Sequence, residues 1–131
     1  MGTVPLLSDE ELSPEAAAVF AEIRAARGTD YVNNFWRAMA HDPEGLRALW
    51  DRLKLVMAPG ALDPLVKEMI YVAVSTANGC GYCIHSHTAA AKAKGMTPAQ
   101  HAELMAVIGM AMQTNGLVQG LGVEVDAVFQ A

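Results

Sequence analysis

Four of the six prolines in this 131-residue chain stand directly behind a good helix-capping residue, at Ser13-Pro14, Asp42-Pro43, Asp63-Pro64 and Thr97-Pro98. A serine, threonine or aspartate at the N-cap satisfies a backbone N–H that the first turn leaves without a partner. Proline at the next position gives up only an N–H that had no use there, and its fixed φ suits the helix. Each pair therefore reads as a helix start. Thr97 adds Gln100 three residues on, a capping box. Gly28, Gly95 and Gly116 read as stops. This punctuation predicts helices over roughly 13–27, 32–40, 43–57, 63–77, 80–94 and 98–115. Tyr71-Val72-Ala73-Val74 has strand propensity but lies inside a longer N-capped stretch of helical spacing. The expected fold is all-α: one domain over 1–131, an orthogonal or antiparallel bundle of about six helices.

The ends carry weaker signals. Residues 1–12 are expected to form an arm that only a partner orders, and 116–131, rich in glycine, a loop with a short terminal turn. Hydrophobic residues make up 53% of the chain, high for so small a body with so much surface, and this predicts an obligate oligomer. Nine Lys and Arg against fourteen Asp and Glu give a net charge of -5, with the basic residues scattered rather than gathered on a stripe. That pattern disfavours nucleic acid and anionic membrane as partners. No apolar run approaches the ~18 residues that span a bilayer. Met1 to Glu11 lacks the basic and apolar regions of a secretory signal, so the expected location is cytoplasmic.

In a reducing compartment a structural disulfide does not normally persist, so the only two cysteines, Cys80 and Cys83, point to redox, catalytic or metal chemistry. Asn78-Gly79 ends one predicted helix and Cys80 opens the next, which places the thiols at the turn of an antiparallel hairpin. Unpaired N–H groups and the positive end of the helix dipole stabilise a thiolate there. Cys80, Cys83 and His87 are spaced i, i+3, i+7 and share one stripe, whereas His85 lies about 200° around the helix from Cys83 and faces away. His87 is thus the better base. Glu68 precedes Asn78 by ten residues and His87 follows Gly79 by eight, so at ~1.5 Å per residue both lie roughly 12–15 Å from the turn. Glu68 shares an apolar stripe with Leu65, Met69 and Val72, where a carboxylate needs a partner. A Glu68–His87 pair would orient the ring and stabilise imidazolium.

Three other readings compete. The cysteines could be two small core residues. Cys80, Cys83, His85 and His87 could be counted as zinc ligands, but the two histidines diverge on one helix and no second ligand pair stands at a zinc-finger spacing. Haem attachment fails because Ile84, not histidine, follows Cys83. His41 and His101 read as surface or cap residues, and the methionines as core or interface filler.

The spacing Glu68, eleven residues, Cys80-x-x-Cys83, three residues, His87 resembles the signature of the alkylhydroperoxidase D-like branch of the carboxymuconolactone decarboxylase superfamily. Asn33-x-x-Trp36-Arg37-Ala38-x-Ala40-His41-x-Pro43 is similar to the stretch before it in small peroxidase-related members. The likeness covers roughly residues 30–115. It implies an all-α homo-oligomer, trimer or hexamer, that reduces a small hydroperoxide without metal or organic cofactor. It also implies that Cys83 becomes the sulfenic acid, that Cys80 donates a proton and resolves, and that Glu68 and His87 relay protons. The helix dipole alone favours Cys80 as nucleophile; closeness to His87, one turn from Cys83, favours Cys83. Tyr82 stands where the best-characterised peroxidases of this kind carry a histidine, and it can donate a hydrogen bond but not act as a base near neutral pH. The implied reductant is a dithiol protein, lipoyl or thioredoxin-like. Two alternatives remain: a lactone decarboxylase of the same superfamily, which does not depend on a cysteine pair, and a redox-sensing oligomer without turnover.

Overall fold

The computed structural model describes residues 2–130, and every regular element among them is helical. Six α-helices follow in order: α1 (Pro14–Arg27), α2 (Asn34–Met39), α3 (Pro43–Met57), α4 (Pro64–Asn78), α5 (Gly81–Ala93) and α6 (Pro98–Leu121). The four proline-marked starts hold. Ser13, Asp42, Asp63 and Thr97 each accept a backbone N–H of the first turn, and Thr97 and Gln100 close the capping box. The chain divides into two compact units, one running as far as Ala58 and the other from Pro59 onward.

In the first unit α1 and α2 pack on α3. Ala16, Val19, Phe20 and Ile23 recur at helical spacing on α1 and are fully buried, with Trp36 from α2 and Leu46 and Trp50 from α3. Trp36 and Trp50 meet edge to face at 5.6 Å, and the Arg24 and Arg37 guanidinium groups lie over the Phe20 ring. The arm expected over 1–12, of which residue 1 lies outside the described residues, is tied to this unit between Pro5 and Leu12 rather than left to a partner. Asp9 bridges Arg24 at 2.7 Å and Arg37 at 3.0 Å, Arg37 donates to the Leu7 carbonyl, His41 Nε2 meets the Pro5 carbonyl at 2.8 Å, and Leu7 and Leu12 pack on the core. These bonds span up to 36 residues and have no periodic signature in the sequence.

In the second unit α4 packs on α5 and on α6. Its inward stripe is Glu68, Val72 and Ser75, met by Ala91 of α5, Ile108 of α6 and Met96 between them as the unit's other buried residues. Gly79, in the left-handed region at φ 69°, stops α4, and the Cys80 N–H closes the turn onto the Ser75 carbonyl at 2.9 Å. The expected stop at Gly116 is corrected. The last helix runs on to Leu121 and ends at Gly122, φ 61°, so the loop predicted over 116–131, of which residue 131 lies outside the described residues, begins only there and holds a 3-10 turn at Ala127–Phe129. Gly116 and Gly120 do not take positive φ, and glycine inside a helix is a cost rather than a stop. No helix among the described residues is long and apolar enough to cross a membrane.

Candidate active site

Cys80 is the N-cap of α5. Its Sγ accepts the Cys83 N–H at 3.3 Å, a sulfur in the place an aspartate or serine usually holds. Both cysteines are free thiols and partly exposed. The capping geometry separates them chemically. Hydrogen bonds from the Cys83 thiol and then from the Cys83 N–H pull the Cys80 thiol below its usual range and outweigh a small opposing effect of burial. The same thiol–thiol bond raises Cys83, and burial and the negative charge on Cys80 add to the rise. The two thiols are thus driven apart, Cys80 toward the more acidic and Cys83 toward the less acidic.

One turn beyond Cys83, His87 Nδ1 stands 2.7 Å from Glu68 Oε2. The equal-height expectation for Glu68 and His87 across the hairpin is therefore met by a direct bond. Glu68 is 5% exposed, so its partners matter. Burial pushes its carboxyl up, but hydrogen bonds from His87 and Lys94, with their charges, more than offset this and hold it below the usual carboxylate range. An ionised Glu68 fixes the proton on Nδ1 and leaves Nε2 as the exchangeable ring nitrogen. His85 lies exposed on another side of α5, as its register predicts, and Tyr82 is about half exposed. Among the described residues no group of three or more His, Cys, Asp or Glu side chains is placed to hold a metal ion.

Two members of the site escape the sequence reading. Tyr71 stacks on the His87 ring at 3.6 Å between centroids and 15° between planes. Lys94 Nζ donates to Glu68 Oε1 at 3.1 Å. The register contained both: Tyr71 is three residues after Glu68 on α4, and Lys94 seven after His87 along the cysteine stripe.

The model of the Carboxymuconolactone decarboxylase family matches residues 43–123. Over its full length the chain is 60% identical to the alkylhydroperoxidase AhpD core from Rhodospirillum rubrum ATCC 11170, covering 98% of that chain with a TM-score of 0.97. It is 33% identical over 114 residues to the alkyl hydroperoxide reductase AhpD of Solibacter usitatus (strain Ellin6076), a match over 85% of this chain and 62% of that protein. A shorter match, 43% over 47 residues, links 36% of this chain to 42% of uncharacterized protein 4 in the cox locus of Paracoccus denitrificans. The chain thus spans less than two thirds of the length of either curated relative.

Proposed function

The chain belongs to the carboxymuconolactone decarboxylase family, in its alkylhydroperoxidase D-like branch, and from that premise we propose that it is a thiol-dependent alkyl hydroperoxide reductase. The observation that carries this reading is the Cys80–Cys83 pair at a helix N-cap, the Cys80 thiol lowered and the Cys83 thiol raised by their mutual bond, one turn from a carboxylate-held histidine. A lactone decarboxylase would have no use for that arrangement of sulfurs.

The cycle begins with the Cys83 thiol giving its proton to the His87 imidazole as the Cys83 sulfur attacks the outer oxygen of ROOH. The O–O bond breaks, Cys83 becomes the sulfenic acid, and the leaving alkoxide takes the proton of the Cys80 thiol. Cys80, now a thiolate, attacks the Cys83 sulfur and expels hydroxide, which the His87 imidazolium formed in the first step protonates to water. Two electrons pass from the dithiol to the peroxide, and a Cys80–Cys83 disulfide remains. Cys83 is assigned the attack for its place one turn from His87 and by the family resemblance, whereas the lowered Cys80 thiol suits the sulfur that gives its proton to the leaving alkoxide. Tyr82, between the sulfurs, is a secondary candidate for a hydrogen bond to the peroxide. A dithiol protein, lipoyl or thioredoxin-like, restores the pair by exchange, and a cytoplasmic location suits that supply. The chemistry runs on the two sulfurs with no cofactor.

Homo-oligomeric assembly, as trimer or hexamer, belongs to the same reading. Val66, Ile70 and Val74 form an exposed stripe at spacing four on α4, and Val107, Met110 and Leu121 are exposed on α6. Apolar surface of this kind calls for cover by further copies.

Peroxide consumption coupled to a dithiol, measured for wild type, Cys83→Ser and Cys80→Ser, tests the reading. Both variants are expected to lose turnover, and Cys80→Ser to accumulate the Cys83 sulfenic acid. Two free thiols per chain after peroxide treatment of the reduced protein would sink the mechanism.

A further inference from the structure

Both oxygens of the Glu68 carboxylate are engaged, each by a different basic group of α5. Oε2 meets His87 Nδ1 at 2.7 Å and Oε1 meets Lys94 Nζ at 3.1 Å. The Glu68 side chain is 7% exposed and that of Lys94 41%, so a solvent-contacting ammonium reaches in to a buried carboxylate. Lys94 is the C-cap residue of α5, and helical side chains lean toward the N-terminus. In an antiparallel pair that lean brings Nζ alongside the first turns of α4, where Glu68 lies.

A histidine and a buried carboxylate joined by one short bond have two ways to hold the proton between them. Imidazolium and carboxylate keep it on Nδ1. Neutral imidazole and carboxylic acid place it on Glu68, with the ring's remaining proton on Nε2, and desolvation favours this uncharged pair. In that second form Nε2–H belongs to a neutral imidazole and is far too weak an acid to give up a proton. A permanent cation on the far oxygen removes the advantage of the uncharged form, since protonating Glu68 would leave the ammonium without its counterion.

We propose that Lys94 is a positioning residue of the proton relay: its ammonium on Oε1 keeps Glu68 ionised through the cycle and the shared proton on His87 Nδ1, so that Nε2 stays the exchanging atom. The proposal rests on the reading of this site as a thiol-peroxide centre. Other titratable groups lie on the helices around Glu68. Tyr71, on its own helix, stacks on His87, and α6, which packs on α4, carries His101 and Glu103, neither of which bonds to Glu68. The hydrogen bond and charge of Lys94 are among the influences that hold the Glu68 carboxyl low against its burial.

The test reads Glu68 and His87 directly. Infrared spectra of reduced protein labelled at its glutamate carboxyls, with Glu68→Gln to assign the band, report whether Glu68 is acid or carboxylate. Long-range proton–nitrogen correlation spectra report the His87 tautomer. In Lys94→Met at neutral pH a Glu68 carboxylic acid band is expected with the proton on Nε2, together with a loss of kcat of about tenfold at unchanged KM, the size of a one-unit change in protonation equilibrium. Lys94→Arg is expected to restore all three. A Lys94→Met protein that keeps the carboxylate band and the Nδ1 proton overturns the proposal even if its turnover falls. The reverse pattern separates the two claims: the spectral change in a protein whose wild type consumes no peroxide leaves Lys94 its role and sinks the peroxidase reading.

Discussion

In the unit built from α1–α3 the ion-paired charges stay outside and Phe20, Trp36 and Trp50 go in, whereas in the unit built from α4–α6 a carboxylate is buried while Val66, Ile70, Val74 and Met110 face outward. The first unit's ion pairs, Arg47 with Glu22 and Asp51, and Arg24 and Arg37 with Asp9, lie on its surface, where such pairs add little. The second unit takes Glu68 out of water and matches it with His87 and Lys94, a costly arrangement that apolar residues of similar volume would often better for stability. The contrast assigns different tasks. A dry core over Phe20, Trp36 and Trp50 supplies stability; the polar stripe of α4 and α5 supplies a held imidazole beside two thiols. Substitutions at five positions would break or sharpen that division.

The largest effect is expected from Phe20→Ala. Phe20 is fully buried beneath two guanidinium groups, and its truncation is expected to cost about 3–5 kcal/mol in chemical denaturation followed by helical circular dichroism. Where the variant is still folded, peroxide is expected to oxidise Cys80 and Cys83 at close to the wild-type rate. A loss under about 1 kcal/mol would show that the aromatic core does not carry the stability assigned to it.

Glu68→Gln comes next and addresses the other unit. It keeps the shape and removes the charge that fixes the imidazole, so kcat for peroxide turnover is expected to fall about a hundredfold. It also has a signature in stability against pH. The folded-state carboxyl of Glu68 lies below its ordinary value of 4.5, so the unfolded chain binds the proton more readily. The carboxylate therefore contributes stability above about pH 4.5 that is lost as pH falls through the folded-state value. Wild type minus Glu68→Gln is expected to show a stability difference that shrinks on acidification below pH 4.5. The subtraction removes Asp9, Glu11, Glu22 and Asp51, also lowered by their partners. A difference independent of pH would mean that Glu68 is not ionised in the folded protein.

Tyr71 tests the face of the imidazole as Glu68 tests its edge. A stacked aromatic pair is worth about 0.5–1.5 kcal/mol, so Tyr71→Leu is expected to lower kcat roughly two- to tenfold, while Tyr71→Phe keeps the stack and the rate. Equal losses in both variants would move the credit from the ring to the hydroxyl.

What the sequence disclosed and what it hid follow from the range over which each signal acts. The four capped prolines act within one turn, so the helix starts were legible. The Glu68–His87 pair lies nineteen residues apart but needs only a tight turn at Gly79 and straight helices, and simple register arithmetic finds it. The same arithmetic reaches Tyr71 and Lys94, yet it cannot say that a ring lies flat on His87 or that a four-carbon stem bends toward Glu68. That Cys80 is the more acidic thiol was legible from its place at the helix start, whereas the bond from the Cys83 N–H to its sulfur was not, because it turns on Cys80 occupying the N-cap. The clasp of Asp9 on Arg24 and Arg37 joins three elements with no shared period.

Glycine was the least reliable punctuation, and the smallest expected effect exploits that. Gly79 and Gly116 look alike in sequence as stops, but Gly79 adopts φ 69° at the end of α4 and Gly116 lies inside α6 without positive φ. A methyl group built on either meets no atom within 4 Å, so backbone conformation alone decides the sign. Gly116→Ala is expected to stabilise by roughly 0.5–1 kcal/mol, because alanine has less conformational freedom to lose and suits a helix. Gly79→Ala is expected to destabilise by about 1–2 kcal/mol, since a Cβ at left-handed φ crowds its own carbonyl. It also loosens the turn that presents Cys80 as N-cap, so peroxide-driven disulfide formation is expected to slow in Gly79→Ala and not in Gly116→Ala. Stabilisation by both substitutions would mean that the hairpin turn does not need its left-handed residue, and with it would go the account of why Cys80 is the more acidic thiol.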